Sequence, residues 1–524
     1  MTIHSMPSWS ELEPYDRLVN TQTVEPRAYQ INIIKGINSG ANTLVILPTG
    51  LGKTLIAVFA IAKALHEGKN AIVLAPTKPL SEQHYRTMSE LLNVDKEIIL
   101  LLTGSLSGKK REELEAKARV IVATPQTVAN DLQKGRLSLN DFSMVVFDEC
   151  HRAVGRYAYT YIADECKLRG IQLLGLTASP GGDTKKIETL IDTLGIKNIE
   201  IRISTDSDVA PYVVSKEMTT LYVDNSKVIN DVLSMLRPSI EEHLGNLYSR
   251  GMSPFKHFDN MSKRRVLEIG DNINKIKAEN YKFSLLFDYT YVLNLTHAYD
   301  LASTEGLYPF ISYLDGLEAR ESKSRGVKSI LSNTGVRAAI GMAKSAVANG
   351  DDHPKMFLAM SLIKNALSDK STIVFAQYRS TIKRLVDLFR ANGIEARAFV
   401  GKKDGVTQGQ QQQTINDFRD GKFKVLVATS IGEEGLDIPA VDAVILYEPV
   451  PSEIRSIQRR GRAGRMKFGR VIVLVASKTK DEKYLLISRL REKRMRDLID
   501  KIKLRFLADA FGGGAGKGQR TLVP

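Results

Sequence analysis

The sequence predicts an α/β fold in which two parallel-sheet domains flank an inserted helical domain. Two stretches, residues 27–203 and 355–507, alternate short runs of β-branched and apolar residues with helix-like patterns. Continuous apolar runs between helices are typical of strands that are buried on both faces of a parallel sheet. Between the two stretches such runs are scarce and helical periodicity dominates. A length of 524 residues also favours roughly three domains over one.

The first domain, residues 1–203, contains six candidate strands, several of which stop directly at polar, Gly or Pro residues. Open α/β sheets bind ligands at the carboxyl ends of their strands, so functional residues are expected directly after these runs. The candidate strands are Thr43–Leu47, Ala71–Ala75, Ile98–Leu102, Val120–Ala123, Met144–Phe147 and Leu173–Leu176.

Residues 204–350 are predicted to form the helical insertion domain. Helical patterns cover Val228–Leu244, with an interruption at Pro238, and then Tyr281–Tyr299 and Val336–Ala348. Basic and aromatic residues interleave near Phe255–Phe258, and the basic run at residues 263–265 follows. This mixture favours contact with nucleic acid, although each ring taken singly is better explained as part of the helical core.

The second domain, residues 351–510, begins after a short segment, Asp351–Pro354, that looks like a linker. A long basic helix, about Asp481–Leu507, is predicted to end the domain, and residues 511–524 form a Gly-rich tail that is expected to be flexible. The candidate strands are Thr372–Ala376, Ala396–Val400, Lys424–Ala428, Ala443–Tyr447 and Val471–Val475.

The charge of the chain points to a polyanionic partner. The net charge is +15, and residues 451–524 hold twenty Lys or Arg against seven Asp or Glu, a net of +13. A terminal region of this kind favours a nucleic-acid surface over a merely solvated helix. No apolar run approaches the ~20 residues of a bilayer span. The N-terminus lacks a secretory pattern, and two cysteines make neither a disulfide framework nor a metal cluster, so a cytoplasmic, nucleoid-associated protein is expected.

The segment from Leu47 to Thr54 has the composition of a phosphate-binding loop. It follows an apolar run and opens a helical pattern, so its backbone N–H groups and the helix dipole form a cradle for phosphates. Lys53 is expected to reach the β- and γ-phosphates, and the Thr54 hydroxyl to hold Mg²⁺. Leu47 replaces the first Gly of the usual pattern, which leaves a chance Gly-rich turn as the alternative. The predicted cofactor-binding residues here are Pro48, Thr49, Gly50, Leu51, Gly52, Lys53 and Thr54.

An acidic pair, Asp148-Glu149, follows the apolar run Met144–Phe147. Beside a bound triphosphate, Asp148 can hold Mg²⁺, and Glu149 can orient and deprotonate the attacking water. Adjacent carboxylates are common on protein surfaces, but a position after a buried strand and downstream of a phosphate loop favours catalysis. Cys150 is not needed as a nucleophile or ligand, and His151 alone is more typical of a structural role.

Four segments occur in the order typical of superfamily-two helicases: Lys53-Thr54, Asp148–His151, Thr177–Ser179 and Gln458–Arg465. Within that superfamily, residues 428–439 and 448–460 resemble the archaeal Hef and Fanconi anaemia group M family. The resemblance implies RecA-like motor domains, ATP and Mg²⁺ as cofactors, and a helicase that remodels forks and Holliday junctions. Dicer and RIG-I-type helicases share the Asp-Glu-Cys-His box and a helical insert. A double-stranded RNA-binding ATPase or sensor therefore stays open as the alternative.

The resemblance also assigns roles near the nucleotide. Arg27 and Gln30 match the segment that recognises adenine, with a polar helix start as the alternative. Gln458 matches a residue that faces the γ-phosphate, while Arg462 and Arg465 match arginine fingers, whose guanidinium groups suit the charge of phosphoryl transfer. Residues matching the nucleotide-sensing and coupling motifs are Gly435, Asp437, His151, Thr177 and Ser179.

Residues that match the nucleic-acid track lie after the predicted strands, where small hydroxyls and backbone amides suit phosphate contacts. Any single Thr among them could be a helix cap instead. The basic run of the insert is added to this set as a duplex-binding surface. The predicted contacts are Pro76, Thr77, Lys78, Thr103, Gly104, Thr124, Pro125, Gln126, Gln377, Arg379, Thr429, Lys263, Arg264 and Arg265.

Forked or junction DNA and single-stranded DNA are therefore the expected partners. Hef carries a nuclease module after its helicase, whereas no acidic nuclease motif follows Gly464 here. Either the nuclease is a separate protein, which would then be a further partner, or this is a helicase-only homologue. The segment Gln519–Leu522 only partly resembles a sliding-clamp peptide, since the aromatic pair of such peptides is missing.

Overall fold

The computed structural model describes residues 7–47, 51–104, 108–115, 117–155, 158–178, 184–202, 206–212, 217–260, 263–400, 407–429, 441–449 and 470–511. Within these ranges two parallel sheets are joined by a helical bundle, which confirms the predicted fold class. None of the described helices is both long and apolar enough to cross a bilayer.

The first sheet has seven parallel strands in the order β3-β4-β2-β5-β6-β1-β7. Alternate strand residues face two separate hydrophobic cores: Val73 and Val146 belong to one, and Ile72 and Val145 to the other. Burial on both faces explains why the strands are continuous apolar runs. The strands are β1 (Thr43–Ile46), β2 (Asn70–Leu74), β3 (Ile99–Leu102), β4 (Val120–Ala123), β5 (Phe142–Asp148), β6 (Gln172–Thr177) and β7 (Asn198–Ile201); the helices are α1 (Ala28–Asn38), α2 (Lys53–His66), α3 (Lys78–Leu91), α4 (Gly108–Glu115), α5 (Pro125–Gln133), α6 (Ala158–Leu168) and α7 (Thr184–Leu194).

The second sheet has six parallel strands in the order β10-β11-β9-β12-β13-β8. Its edge strand β8 lies at Glu217–Val223, inside the range predicted for the helical insert, and pairs with the last strand of the domain. The strand was missed because it precedes the insert in the chain and only tertiary pairing assigns it to this sheet. The other strands are β9 (Thr372–Phe375), β10 (Ala396–Phe399), β11 (Val425–Ala428), β12 (Ala443–Leu446) and β13 (Arg470–Ala476), with helices α14 (Pro354–Ser361), α15 (Arg379–Ala391), α16 (Gln408–Arg419) and α17 (Lys480–Phe511).

The helical bundle buries one main core between long helices, and α9 adds a smaller core beside α8 and α10. Helix α8 continues through Pro238, so the predicted interruption is wrong. Proline inside a helix costs about 3 kcal/mol, but Leu236 and Ile240 on either side are completely buried, and their packing holds the helix together. The bundle helices are α8 (Lys227–Ser249), α9 (Lys263–Asn274), α10 (Glu279–Asp300), α11 (Leu307–Glu318), α12 (Arg325–Ser332) and α13 (Thr334–Ala348).

The segment Asp351–Pro354, predicted as a linker, is packed against both of the domains that it joins. The Asp352 carboxylate is 1% exposed and accepts hydrogen bonds from the Leu307 amide at 2.7 Å and from Arg384 Nε at 2.9 Å. Burial lowers the pKa of His353 to about 3, so its ring stays neutral and Nε2–H donates to the Ser303 carbonyl. These bonds tie the insert to the second sheet domain.

A candidate nucleotide site and nucleic-acid face

The described part of the phosphate loop lies at the carboxyl end of β1. Lys53 begins helix α2, and its Nζ donates to the Leu47 carbonyl at 3.0 Å, so the ammonium group is held beside the end of β1. Gly52 has a left-handed φ of 77°, and a Cβ there would collide with the Gln30 amide. Thr54 follows in the first turn of α2. Pro48, Thr49 and Gly50 lie outside the described residues.

The segment predicted to recognise adenine packs directly on this loop. Tyr29 Oη donates to the Leu51 carbonyl at 2.8 Å, and Gln30 Nε2 donates to the same oxygen at 3.2 Å. Gln30 Oε1 is buried and has no hydrogen-bond partner among the described residues. An unpaired buried acceptor fits an amino donor such as that of adenine. Arg27 donates to Tyr29 Oη at 3.2 Å and lies 5.5 Å from the centre of the Tyr212 ring.

The acidic pair stands at the end of β5, the strand beside β2 and β6 in the centre of the first sheet. Asp148 is 7% exposed, and its Oδ2 lies 2.8 Å from His84 Nε2. Burial of the Asp148 carboxyl opposes its ionisation, yet the hydrogen bond from His84 and the charge of Lys53 hold the pKa of Asp148 below its ordinary value. The backbone carbonyl of Asp148 is held as well, since it accepts from Tyr159 Oη at 2.7 Å.

These groups fit Mg²⁺ and a nucleoside triphosphate. An ionised carboxylate at a strand end, with the Thr54 hydroxyl at the start of α2, is the set of hard oxygen ligands that Mg²⁺ uses alongside substrate phosphates. No group of three or more His, Cys, Asp or Glu side chains within the described ranges could hold a metal. A Mg²⁺ bound through one or two protein oxygens and phosphates needs no such group.

Glu149 turns the chain away from the strand with a left-handed backbone, φ 50°. His151 Nδ1 lies 3.3 Å from Glu149 Oε2 and 3.2 Å from Thr177 Oγ1 at the end of β6. The structure thus brings together three residues that were predicted separately for catalysis and coupling. Burial raises the pKa of Cys150 well above its ordinary value, which keeps the thiol protonated and inert. Ser179 lies outside the described residues.

The predicted nucleic-acid residues of the first domain follow three neighbouring strands, β2, β4 and β3. Thr77 and Thr124 precede α3 and α5, but neither side chain accepts a capping hydrogen bond, so the helix-cap alternative is not realised at these two positions. The hydroxyl of Thr77 is buried and has no hydrogen-bond partner within the described ranges. The residues placed along this sheet edge are Pro76, Thr77, Lys78, Thr103, Gly104, Thr124, Pro125 and Gln126.

The second domain repeats this placement on the neighbouring strands β9 and β11. Gln377 and Arg379 follow β9 at the start of α15, and Thr429 follows β11. The Thr429 hydroxyl is also buried without a hydrogen-bond partner in the part of the chain that the structure describes. The residues predicted to complete the nucleotide site from this domain lie outside the described residues: Gly435, Asp437, Gln458, Arg462 and Arg465.

In the insert, Lys263, Arg264 and Arg265 begin helix α9. Arg264 is exposed and pairs with Glu268 within the same helix, while the Arg265 guanidinium lies 4.3 Å from the centre of the Phe255 ring. The structure therefore separates these residues from the nucleotide residues and places them in another domain.

Sequence reasoning missed His84, Tyr159 and Tyr29, which contact the predicted site residues. His84 is two helical turns beyond Thr77, and its spacing from the buried residues Ser81 and Met88 is a helical signal that it faces inward. Nothing in the sequence shows that it meets Asp148, because that contact depends on how α3 packs on the sheet.

Comparison with known proteins gives three family matches along the chain. Residues 27–187 match the DEAD/DEAH box helicase family, residues 228–350 match the helical bundle of an ATP-dependent RNA helicase family, and residues 354–467 match the helicase conserved C-terminal domain. A crystal structure of the Pyrococcus furiosus Hef helicase domain is similar over 90% of this chain and 100% of that chain, with 42% identity and a TM-score of 0.73.

Two curated relatives are longer than this chain. A protein of Methanocaldococcus jannaschii, named as an ATP-dependent RNA helicase, is 37% identical over 92% of this chain and 62% of its own length. The ATP-dependent DNA helicase mph1 of Neurospora crassa is 32% identical over 87% of this chain and 41% of its own length. The chain thus spans less than two thirds of either relative.

Proposed function

The chain belongs to the superfamily-two helicases of the Hef type, and on that premise we propose that it uses ATP to unwind or remodel branched DNA such as stalled forks and Holliday junctions. Lys53, Thr54 and Asp148 would hold Mg·ATP, with adenine at Gln30. Glu149 would take the proton of the attacking water. Bound Mg²⁺ supplies charge neutralisation for the phosphates.

The observation that carries the proposal is the pair of buried hydroxyls at Thr77 and Thr429. Each lacks a hydrogen-bond partner within the described ranges, and each follows a strand of a different sheet. An unsatisfied buried polar group costs about 1–3 kcal/mol. A nucleic-acid strand lying across both domains would offer a phosphate oxygen to each hydroxyl and so satisfy both groups.

DNA rather than RNA is proposed as the substrate because the Neurospora crassa relative is named as an ATP-dependent DNA helicase. A second candidate, an ATPase that senses double-stranded RNA, draws on the match of the insert to an RNA-helicase bundle and on the name of the Methanocaldococcus jannaschii relative. Three expectations remain predictions. They are binding to a separate nuclease subunit, binding to a sliding clamp, and association with the nucleoid.

The proposal is tested by measuring ATP hydrolysis and strand displacement on single-stranded, duplex, forked and four-way DNA and on duplex RNA. We expect forked and four-way DNA to stimulate hydrolysis most and to be unwound or branch-migrated only with ATP. Lys53→Ala provides the inactive control. Stimulation by duplex RNA alone, with no ATP-dependent movement of DNA, would instead establish the sensor.

A further inference from the structure

Helix α3 contacts both sites that the proposed function assigns to the first domain, the nucleic-acid track and the Mg²⁺ site. Its N-cap residue Thr77 and its first residue Lys78 belong to the predicted nucleic-acid track, and His84 on the same helix contacts Asp148, the predicted Mg²⁺ ligand. His84 is the seventh residue after Thr77, which corresponds to a helical rise of about 10 Å. A single rigid element therefore joins the two sites.

The contact between His84 and Asp148 is shielded from solvent at both ends. The side chains are 6% and 9% exposed, and Nε2 lies 2.8 Å from Oδ2. An ionised carboxylate only accepts hydrogen bonds, so the Nε2 atom carries the proton and donates it. His84 Nδ1 is buried and has no hydrogen-bond partner among the described residues, so Asp148 is the one polar group that the ring meets there.

This side-chain bond helps to orient the carboxylate, beside the backbone hydrogen bond that it accepts from Glu149. A carboxylate that ligates a metal is commonly held by an outer hydrogen-bond donor, and removal of such a donor typically lowers metal affinity or activity about 10- to 100-fold. Tyr159 Oη holds the backbone carbonyl of Asp148, at 2.7 Å, so only the side-chain torsions remain to be fixed. His84 restricts those torsions by its bond to Oδ2.

We propose that His84 is a positioning residue that holds the Asp148 carboxylate for Mg²⁺ and, through helix α3, couples the metal site to nucleic acid bound at Thr77 and Lys78. The inference rests on the proposed function. A shift of α3 when a phosphate binds at its first turn changes the place of His84 and hence the restraint on Asp148. Coupling of this kind is reciprocal, so nucleic acid and Mg·nucleotide strengthen each other's binding.

The test measures binding rather than turnover. A fluorescent, non-hydrolysable ATP analogue is titrated at increasing Mg²⁺ concentration, with and without an oligothymidylate, for the wild type, His84→Ala and His84→Gln. We expect His84→Ala to raise the Mg²⁺ concentration at half-maximal binding about 10- to 100-fold and to lose the shift that the oligonucleotide produces in the wild type. His84→Gln keeps an N–H donor and should recover part of both effects.

The insert offers a matched control in His243, whose Nδ1 lies 2.6 Å from the buried carboxylate of Asp288. His243→Ala breaks a similar buried pair away from the nucleotide and should leave the Mg²⁺ midpoint unchanged. A folded His84→Ala protein with the wild-type midpoint, or with an undiminished shift by the oligonucleotide, would overturn the inference. Failure of the wild type to bind the analogue with Mg²⁺ would instead contradict the proposed function.

Discussion

At the scale of the residue, the adjacent carboxylates of Asp148 and Glu149 have different surroundings. Asp148 is the last residue of a buried strand and is held ionised by His84 and Lys53. Glu149 leaves the strand with a left-handed backbone, a conformation that costs a non-glycine residue on the order of 1–3 kcal/mol and that clusters at functional sites. Its carboxylate meets His151 instead. These different surroundings support the proposed roles of Asp148 as metal ligand and Glu149 as base.

Replacement of Glu149 by Gln is expected to retain Mg·ATP binding and to abolish hydrolysis, because the amide cannot accept the proton of the attacking water. Nucleotide binding and DNA-stimulated phosphate release are the two measurements. Lys53→Ala serves as the contrasting variant, since it should weaken binding as well. Hydrolysis by Glu149→Gln at the native rate would show that the base has been misassigned.

A second residue-scale prediction concerns pH. Burial and then the charge of Asp131 raise the pKa of Glu115 from 4.5 to about 7, despite the opposing charges of Arg111 and Arg136. Between those pH values the folded state binds more protons than the unfolded state, so the stability that this group contributes falls as the pH rises from about 4.5 to about 7.

Glu115→Gln removes this titration and should flatten the pH dependence of the melting temperature in that window. The variant should also melt higher than the wild type at pH values above the folded-state pKa. Glu113→Gln, on the exposed side of the same helix, is the control and should follow the wild type. A Glu115→Gln curve that is parallel to the wild-type curve would count against the raised pKa.

At the scale of the element, one buried ion pair ties three segments of the second domain together. Lys355 in α14 lies 2.8 Å from Asp481 in α17 and donates to the carbonyl of Tyr447 after β12. The two charged side chains are 0% and 1% exposed. Charges taken fully out of water persist because they pair with each other and because Asp481 also accepts from the Ala476 amide, so the pair fixes how both helices dock on the sheet.

Lys355→Met should destabilise the protein by about 3–5 kcal/mol, because it leaves the Asp481 carboxylate buried without its partner. Chemical denaturation gives the free energy of unfolding. The exposed pair of Lys344 and Asp315, at 2.9 Å, is the matched comparison, and Lys344→Met should cost at most about 1 kcal/mol. If both variants lost the same free energy of unfolding, burial of an ion pair would not determine how much the pair stabilises this protein.

The insert is the other element for which a separate function, the recognition of forked DNA, is predicted. Its basic helix start is far from any predicted nucleotide ligand in the chain, so replacing Lys263, Arg264 and Arg265 together by Ala should spare basal ATP hydrolysis. We expect the preference for forked over single-stranded DNA to fall and the salt dependence of fork binding to flatten, since fewer counterions are released. An unchanged affinity ratio across a salt titration removes these residues from fork recognition, and a loss of basal hydrolysis makes them structural.

At the scale of the whole molecule, two sheets present equivalent strand ends, with nucleotide residues concentrated in the first domain. The proposed mechanism needs the second domain to complete the site. The closure of the two domains in each ATP cycle would then move a strand that is held by Thr77 in one domain and Thr429 in the other.

Arg462→Ala and Arg465→Ala test that closure. Each should leave DNA binding largely intact and reduce DNA-stimulated turnover on the order of a thousandfold, as removal of an arginine finger does. Fluorescence anisotropy with labelled DNA and steady-state hydrolysis separate the two effects. A parallel loss of DNA binding would place these arginines in the nucleic-acid track instead.

The sequence alone determined the two sheets, the helical insert and the nucleotide motifs. Buried parallel strands must be apolar throughout, and phosphate chemistry needs Lys, Asp and Glu at strand ends, so both leave local patterns. Three features were visible only in the tertiary structure. Glu217–Val223 belongs to the second sheet, helix α8 continues through Pro238, and the Asp352 side chain is buried. The contact between His84 and Asp148 was likewise visible only there. These features depend on contacts between residues far apart in the chain, whose packing and hydrogen bonds outweigh local preferences and leave no periodic signal.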